Sequence, residues 1–325
     1  MVAAGKAFIF LPAMRIVFCG TPEFAVPCLK HFLTLKDFEI AAVFTQPDRP
    51  QGREKTIVFP PVKQVALAAG IAVHQPERIR TQEAEKALRE IAPDAIAIIA
   101  YGQIIPARML DIPRLGWINL HASLLPKYRG AAPIQWAIAN GETKTGVTTM
   151  RIDAGMDTGE IALQEELEIG GRETTPELAG RLATAGAALM EKTLRGLADG
   201  SLRTKAQNHA MATAAPILKK EDGWIAWTRS AREIFDRQRA FTPWPGIYTK
   251  FRGQNCQLQG EPGEGMRPDL EAGSLVWDGK EVRVVCGGGT LLRVLHVKVE
   301  GRKQVSAQEF GIGARITAGE RFGEV

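Results

Sequence analysis

Hydrophobic residues follow two alternating patterns between about residue 15 and residue 196. Short runs rich in β-branched residues are typical of strands buried in a sheet, whereas the segments between them repeat apolar residues at helical spacing. Strands that alternate with helices predict an α/β domain with a mainly parallel sheet. The predicted strands are residues 15–19, 39–44, 95–100, 117–120 and 147–152, and the predicted helices are residues 25–33, 62–69, 82–90 and 133–140.

A long helix is predicted at the end of this region. Thr175 suits the N-cap position and Pro176 suits the first helical position. Leu178, Leu182 and Leu189 then recur at helical spacing and form an apolar stripe. The pattern therefore predicts an amphipathic helix that packs against the sheet.

The pattern changes after this helix, first to a polar stretch and then to strand after strand. Asp278-Gly279 separates two apolar runs, which is a strong hairpin signal. Leu295, Val297 and Val299 alternate with polar residues, so we expect them on one buried face of a strand. This pattern predicts a small β-barrel. The predicted organisation is an N-terminal extension (residues 1–13), a first domain (14–203), a linker (204–216) and a second domain (217–325).

Composition narrows the class of protein. The chain has 325 residues, of which 45% are hydrophobic and 24% charged, as expected for a soluble globular protein. Its apolar runs fall short of the roughly 20 residues needed to span a bilayer, so we expect no membrane segment. The four cysteines have no C-x-x-C spacing, which argues against zinc and favours buried, reduced thiols in a cytoplasmic protein. The net charge of +5 is compatible with a polyanionic partner.

Candidate chemistry lies where the fourth predicted strand runs into a loop, in the segment Trp117 to Pro126. Ligands bind at the carboxyl ends of strands in open α/β sheets. Because side chains alternate along a strand, Asn119 and His121 lie on one side, with Ser123 just beyond. An amide and an imidazole are therefore expected to converge on one small volume.

A carboxylate is expected to join them from the segment Asp153 to Gly159, which follows another predicted strand. An amide, an imidazole and a carboxylate suit direct acyl transfer to an amine, since Asn119 and a protonated His121 can donate hydrogen bonds to the oxygen that becomes negative. Asp157 would orient the imidazole and help to move the proton. Taken singly, each of these residues is more often structural, and a D-x-G loop is usually just a turn.

A longer motif supports the chemical interpretation. The run N-L-H-A-S-L-L-P-K-Y-R-G-A-A-P-I-Q, Asn119 to Gln135, resembles the signature of the 10-formyltetrahydrofolate-dependent formyltransferases. The resemblance implies a Rossmann-like catalytic domain, 10-formyltetrahydrofolate as co-substrate, tetrahydrofolate as product and no metal. It implies catalytic roles for Asn119, His121 and Asp157. The folate contacts that it implies are Ser123, Leu124, Leu125, Pro126, Asp153 and Gly155.

The acceptor must be inferred from other segments. Resemblance to the family members that act on methionyl initiator tRNA extends along almost the whole chain from Met14, and the second domain resembles their oligonucleotide-binding (OB) fold. The loop Thr45 to Lys55 resembles their tRNA-binding insertion, and its cations, Arg49, Arg53 and Lys55, can bind phosphates and base edges at the end of an acceptor stem. We expect a cytoplasmic enzyme with methionyl initiator tRNA as partner and no obligate protein partner. The alternative for the loop is a solvated basic surface.

Three other classes of function remain open at this point. Other formyltransferases of the family act on glycinamide ribonucleotide, sugar nucleotides or water, and all would share the core motif. A nicotinamide-binding Rossmann enzyme is disfavoured because Gly20-Thr-Pro-Glu lacks G-x-G-x-x-G, and Pro22 stands where the second glycine is needed. A non-catalytic tRNA-binding module would tolerate the loss of Asn119, His121 or Asp157.

Overall fold

The structure, a computed structural model, describes residues 13–51 and 56–323. In chain order, its helices and strands are β1 (Met14–Gly20), α1 (Val26–Thr34), β2 (Phe38–Phe44), β3 (Arg49–Gln51), β4 (Thr56–Val58), α2 (Pro61–Ala68), β5 (Val73–His74), α3 (Gln82–Ile91), β6 (Ala95–Ile99), β7 (Trp117–His121), α4 (Pro133–Ala139), β8 (Lys144–Arg151), β9 (Ile161–Glu168), α5 (Thr175–Ala198), α6 (Ala231–Ala240), β10 (Tyr248–Phe251), β11 (Gln254–Met266), β12 (Leu275–Trp277), β13 (Val282–Val285), β14 (Thr290–Val299), β15 (Val305–Ser306) and α7 (Ala307–Ala314).

The chain divides into two compact units, and each unit draws on several segments. Of the described residues, the first unit contains residues 13–51, 56–129, 146–166 and 180–212. The second contains residues 130–145, 167–179 and 213–323. Part of the segment predicted as a linker, residues 204–212, is thus packed within the first unit.

The first unit is built on a seven-stranded sheet with the order β5-β2-β1-β6-β7-β8-β9. The first five strands in this order pair in parallel, whereas β8 runs antiparallel to β7. After β1, the chain first adds β2 and β5 on one side of β1 and then adds β6 and β7 on the other side, so the strand order reverses between β1 and β6. Ligands bind outside the carboxyl ends of strands at such a reversal. The prediction of an α/β domain with a mainly parallel sheet is confirmed.

Burial explains why the central strands were recognisable from their composition. Every residue of β6 is buried, as are the last five residues of β1, because helices cover both faces of a parallel sheet. Helix α5 packs its apolar stripe against this sheet. A side chain at Gly186 would overlap the methyl groups of Leu120 on β7, and Thr193 shares a 2.7 Å hydrogen bond with Thr149 on β8. The long helix therefore packs on the face of β7 opposite to Asn119 and His121.

The second unit contains an antiparallel sheet with the order β10-β11-β14-β13-β12, and β15 pairs with β14. The hairpin predicted at Asp278-Gly279 joins β12 to β13, and Asp278 accepts hydrogen bonds from the backbone of Glu281 and Lys280 that lower its pKa to about 2. Together with the first unit, this sheet confirms the predicted fold class.

One detail of β14 differs from the alternation expected from sequence. Val297 and Val299 are buried as predicted, but the next buried residue is Val294, and Leu295 is only half-buried. The pairing with β11 shifts by one residue between His296 and Val294, so Leu295 forms a β-bulge. The expectation that Leu295 shares the buried face was wrong, because the extra residue of the bulge shifts the alternation of buried and exposed side chains by one position.

No helix in the described ranges is both long enough and apolar enough to cross a bilayer.

The core of the first unit makes a testable prediction about stability. Phe18 lies fully buried in the middle of β1, so Phe18→Ala should lower the free energy of unfolding by about 3–5 kcal/mol. Urea unfolding followed by far-UV circular dichroism measures this change. Lys30→Ala, at an exposed position of α1, is the control and should stay within about 0.5 kcal/mol of the unmodified chain. Equal stabilities for the two variants would contradict the assignment of β1 to the core.

Candidate active site

The site is organised by β7, which lies between β6 and β8 and ends at His121. Asn119 pairs with Ile98 on one side and with Met150 on the other, at the centre of the sheet. Asn119 is half-buried, whereas His121 is only 5% exposed. The two side chains point to the same face because they are two residues apart on a strand. The predicted amide and imidazole therefore do share one edge and one face of the sheet.

The imidazole of His121 is held by a single backbone oxygen. Its Nε2 lies 2.9 Å from the carbonyl oxygen of Tyr128. Because a carbonyl can only accept, Nε2 must carry the hydrogen and donate it. Tyr128 is itself buried and has a φ of 60°, a left-handed conformation that non-glycine residues adopt infrequently. His121 thus has one ring nitrogen occupied, and only Nδ1 remains for chemistry.

Asp157 faces that second nitrogen. Its Oδ2 lies 3.6 Å from Nδ1 of His121, and its carboxylate is largely shielded from solvent. This separation exceeds a direct hydrogen bond but is short enough for strong electrostatic interaction. The carboxylate and the imidazole therefore form the pair that the sequence predicted.

The route by which Asp157 reaches His121 differs from the one expected. Since β8 is antiparallel to β7, it ends with Arg151 opposite Ile118, at the beginning of β7 rather than at its end. The loop after β8 must therefore fold back along the sheet to bring Asp157 to His121. Asp157 has a φ of 53°, another left-handed residue, which helps the chain to reverse.

Short side chains and a glycine shape this loop. Asp153 accepts hydrogen bonds from the backbone of Gly155 (3.0 Å) and from the hydroxyl of Thr158 (2.7 Å), so its carboxylate closes a turn. A Cβ at Gly159 would overlap the carbonyl oxygen of Arg151. Only glycine permits this close approach of two backbone segments.

The predicted folate-binding segment is partly occupied by internal contacts. The fully buried hydroxyl of Ser123 donates to the carbonyl oxygen of Lys127 at 2.6 Å, and the side chain of Leu125 is buried. Leu124 and Pro126 are half-buried and keep accessible surface. Asp153 and Gly155 of the returning loop are exposed. Accessibility therefore favours ligand contact through the side chains of Leu124 and Pro126 over those of Ser123 and Leu125.

The basic loop contains β3, which forms a small hairpin with the following strand β4, and in this hairpin Arg49 pairs with Val58. Arg49 is exposed, while Arg53 and Lys55 lie outside the described residues. Sequence reasoning missed that the hairpin also exposes a run of apolar side chains, Ile57, Val58 and Phe59. Lys63 lies 4.1 Å from the centre of the Phe59 ring, so a cation accompanies the apolar surface.

Sequence reasoning also missed Gln207, which the structure brings to the Asp157 loop. Gln207 is only 6% exposed, and its amide nitrogen donates to the carbonyl oxygens of Asp157 (2.9 Å) and Gly159 (2.7 Å). It lies in the polar stretch predicted as a linker, where a lone glutamine gives no periodic signal.

No group of three or more His, Cys, Asp or Glu residues in residues 13–51 and 56–323 is placed to hold an ion.

Two matching sequence models place the chain in the formyltransferase family. The sequence model named Formyl transferase matches residues 14–194, and the model named Formyl transferase, C-terminal domain matches residues 217–315. In structure the chain is similar to WlaRD, a sugar 3N-formyl transferase, with a TM-score of 0.63, 19% identity and coverage of 89% of this chain and 99% of WlaRD. HypX from Aquifex aeolicus, solved in complex with tetrahydrofolic acid, has a TM-score of 0.58 and 16% identity over 92% of this chain and 47% of HypX. At these low sequence identities, the two similarities show only that the folds are alike.

Curated relatives narrow the family further. The methionyl-tRNA formyltransferase of Koribacter versatilis (strain Ellin345) is 50% identical over 96% of this chain and 99% of the relative. The protein of the same name from Geobacter sulfurreducens is 44% identical over 97% of this chain and 98% of the relative. The chain belongs to the methionyl-tRNA formyltransferase family.

The returning loop yields a prediction that does not depend on activity. Gly159→Ala should destabilise the chain by about 1–3 kcal/mol, because the added methyl overlaps backbone rather than a flexible side chain. Gly180→Ala is the matched control, since a methyl group at that helical position meets nothing within 4 Å and should stabilise by up to about 1 kcal/mol. Thermal unfolding measures both. A Gly159→Ala variant as stable as the unmodified chain would contradict the close approach to Arg151.

Proposed function

We propose that this chain transfers the formyl group of 10-formyltetrahydrofolate to the amino group of methionyl initiator tRNA, by direct attack of the amine on the formyl carbon. The observation that carries the mechanism is the pairing of His121 Nδ1 with Asp157 beside Asn119 at the edge of the sheet. The family supports the reaction class and the acceptor.

In the reaction, a bond forms between the amine nitrogen of the methionyl group and the formyl carbon, and the bond from that carbon to N10 of the folate breaks. Negative charge develops on the formyl oxygen in between. Asn119 and His121 supply hydrogen-bond donors to this oxygen, which lowers the barrier. Because Nε2–H is already donated to Tyr128, the donor from His121 must be Nδ1–H.

One proton must also move from the attacking amine to the departing N10. The carboxylate of Asp157 is placed to accept it, directly or through a water, and to return it to the leaving nitrogen. The 3.6 Å gap between Asp157 and Nδ1 leaves both groups able to contact a third group at once. Asp157 therefore serves as the proton acceptor and His121 as the donor that stabilises charge.

A covalent acyl-enzyme route has little support from the side chains near the site. The hydroxyl of Ser123 is buried and donates to a backbone carbonyl, so it is not presented to a substrate. The two cysteines of the first unit, Cys19 and Cys28, are buried free thiols, and burial raises the pKa of both well above the usual range. A thiol that stays protonated is a poor nucleophile. Direct transfer between two bound substrates agrees with these facts.

For the co-substrate, we assign the folate contacts to Ser123, Leu124, Leu125 and Pro126 and to the loop residues Asp153 and Gly155. Leu124 and Pro126 would contact the ring system with their side chains, and Ser123 and Leu125 would shape the segment that presents them.

For tRNA, we assign the contacts to Arg49, Arg53 and Lys55 of the basic loop, which is followed in sequence by the exposed Ile57 and Phe59. Cations contact phosphates, and an exposed aromatic ring can stack on an unpaired base. In this organisation residues 14–203 carry catalysis, residues 204–216 lead to the second domain, with residues 204–212 packed in the first unit, and residues 217–325 add tRNA-binding surface. Residues 1–13 receive no role.

The catalytic assignment makes a prediction about His121. His121→Ala should lower kcat for formyl transfer by about a hundredfold or more, because a donor to the developing oxyanion is lost. Its Kd for methionyl initiator tRNA should change by less than about twofold, since His121 is buried and acts on the reacting atoms. Retention of full kcat with an unchanged Kd would contradict the assignment of His121 to the active site.

The tRNA assignment makes the opposite prediction for Arg53. Arg53→Ala should weaken tRNA binding and reduce the slope of log Kd against log salt by about one phosphate contact. Lys86→Ala is the control, because it also removes one exposed cation from the first unit but lies on α3, outside the hairpin. Equal effects of the two variants on Kd would show that only overall charge matters and would refute a specific role for Arg53.

A further inference from the structure

The side chain of Gln207 makes more directed contacts than a buried glutamine needs for packing. Its amide nitrogen donates to the carbonyl oxygens of Asp157 and Gly159, and its amide oxygen accepts from Nε (3.1 Å) and Nη2 (2.6 Å) of Arg129. Both ends of one planar amide are thus used. A planar group held at both ends has a fixed orientation and a fixed distance between its partners.

Each end of the Gln207 amide is connected to one of the two proposed catalytic side chains, Asp157 and His121. At the donor end, the carbonyl of Asp157 belongs to the residue whose carboxylate faces His121. At the acceptor end, Arg129 directly follows Tyr128, whose carbonyl oxygen holds Nε2 of His121. The contacts therefore close a ring that passes through His121, Tyr128, Arg129, Gln207 and Asp157. All five residues belong to the first unit.

We propose that Gln207, anchored by Arg129, is a positioning residue that sets the separation between the Asp157 carboxylate and the His121 imidazole. This inference rests on the proposed function, because it deepens the account of the same site. His121 belongs to β7 and Asp157 to a loop that comes back from the far end of β8, so the strand pairing alone does not fix the distance between them. The hydrogen bonds of Gln207 connect the Asp157 loop to Arg129, next to the residue that holds the His121 ring.

The chemistry of the amide explains why glutamine suits this position. The loop presents two carbonyl oxygens, which need a donor, and Arg129 presents N–H groups, which need an acceptor. A glutamate would satisfy Arg129 but would place a carboxylate against two carbonyl oxygens. An apolar side chain would take one hydrogen-bond partner from each of the two carbonyl oxygens and from Arg129, whose Nη2 also lies 3.1 Å from Nδ1 of His209, and a lost partner is costly at a buried position. The loop would then move to find other partners and carry Asp157 with it.

Two substitutions at this position test the proposal. In Gln207→Met the new side chain has a similar length but loses the hydrogen bonds to Arg129, Asp157 and Gly159. In Gln207→Glu the new side chain keeps the acceptor for Arg129 but loses the donor to the two carbonyl oxygens. Both should lower kcat by about tenfold to a hundredfold, since a displacement near 1 Å in the reacting groups can cost about a hundredfold. KM for the formyl donor and for methionyl-tRNA should change by less than about twofold, because Gln207 is buried and its amide is bonded to other residues of the chain.

A double variant tests whether Arg129 acts through the same link. If the two residues form one connection, Arg129→Met and Gln207→Met together should lower kcat no further than the stronger single variant. Additive losses would mean that Arg129 acts on the reaction independently, which would overturn its assignment as the anchor.

A matched control separates positioning from simple stability. Thr193→Val removes a buried hydroxyl of the first unit that is bonded to Thr149 and to the carbonyl of Leu189, on the α5 side of the sheet. It should lower the melting temperature while keeping kcat. If Gln207→Met and Gln207→Glu behave like Thr193→Val, or if they change only KM, the positioning role is refuted. If the unmodified chain fails to formylate methionyl-tRNA, the proposed function itself fails, before any variant is compared.

Discussion

The hydrogen bond from Nε2 of His121 to the carbonyl oxygen of Tyr128 determines how the rest of the site can work. It fixes the position of one ring hydrogen and turns Nδ1 toward Asp157. In the mechanism we propose, the donor to the substrate is therefore Nδ1–H, next to the carboxylate that accepts a proton. That mechanism confines charge stabilisation and proton transfer to one small volume and requires the fold to bring a carboxylate there.

The order and direction of the strands do not by themselves bring a carboxylate to His121. In a wholly parallel sheet the strand next to β7 would end beside His121, but β8 is antiparallel and ends opposite the start of β7. The chain compensates with a returning loop that depends on a left-handed residue at Asp157, a turn closed by Asp153 and the close approach of Gly159 to Arg151. Such a loop gains little rigidity from strand pairing, so contacts from outside the sheet are needed to hold it.

Much of this arrangement follows from local sequence pattern. Buried parallel strands are short apolar runs, and alternation along β7 puts Asn119 and His121 on one face, so these features were predictable. The direction of β8 could not be predicted, because an apolar run does not show whether a strand is parallel or antiparallel to its neighbour. Gln207 gave no signal either, since its role comes from contacts to residues 48 to 78 positions away along the chain. The bulge at Leu295 likewise depends on pairing with β11 rather than on the residue itself.

The central claim is that the His121–Asp157 site transfers a formyl group from a folate to the amine of methionyl initiator tRNA. The most direct measurement incubates the purified chain with 10-formyltetrahydrofolate and, separately, methionyl initiator tRNA, an amino sugar nucleotide or glycinamide ribonucleotide, and quantifies the formylated product by mass spectrometry. We predict formyl-methionyl-tRNA as the main product, formed at a rate that falls sharply in Asp157→Asn. Formylation of a small acceptor alone, or an unchanged rate in Asp157→Asn, would contradict the account.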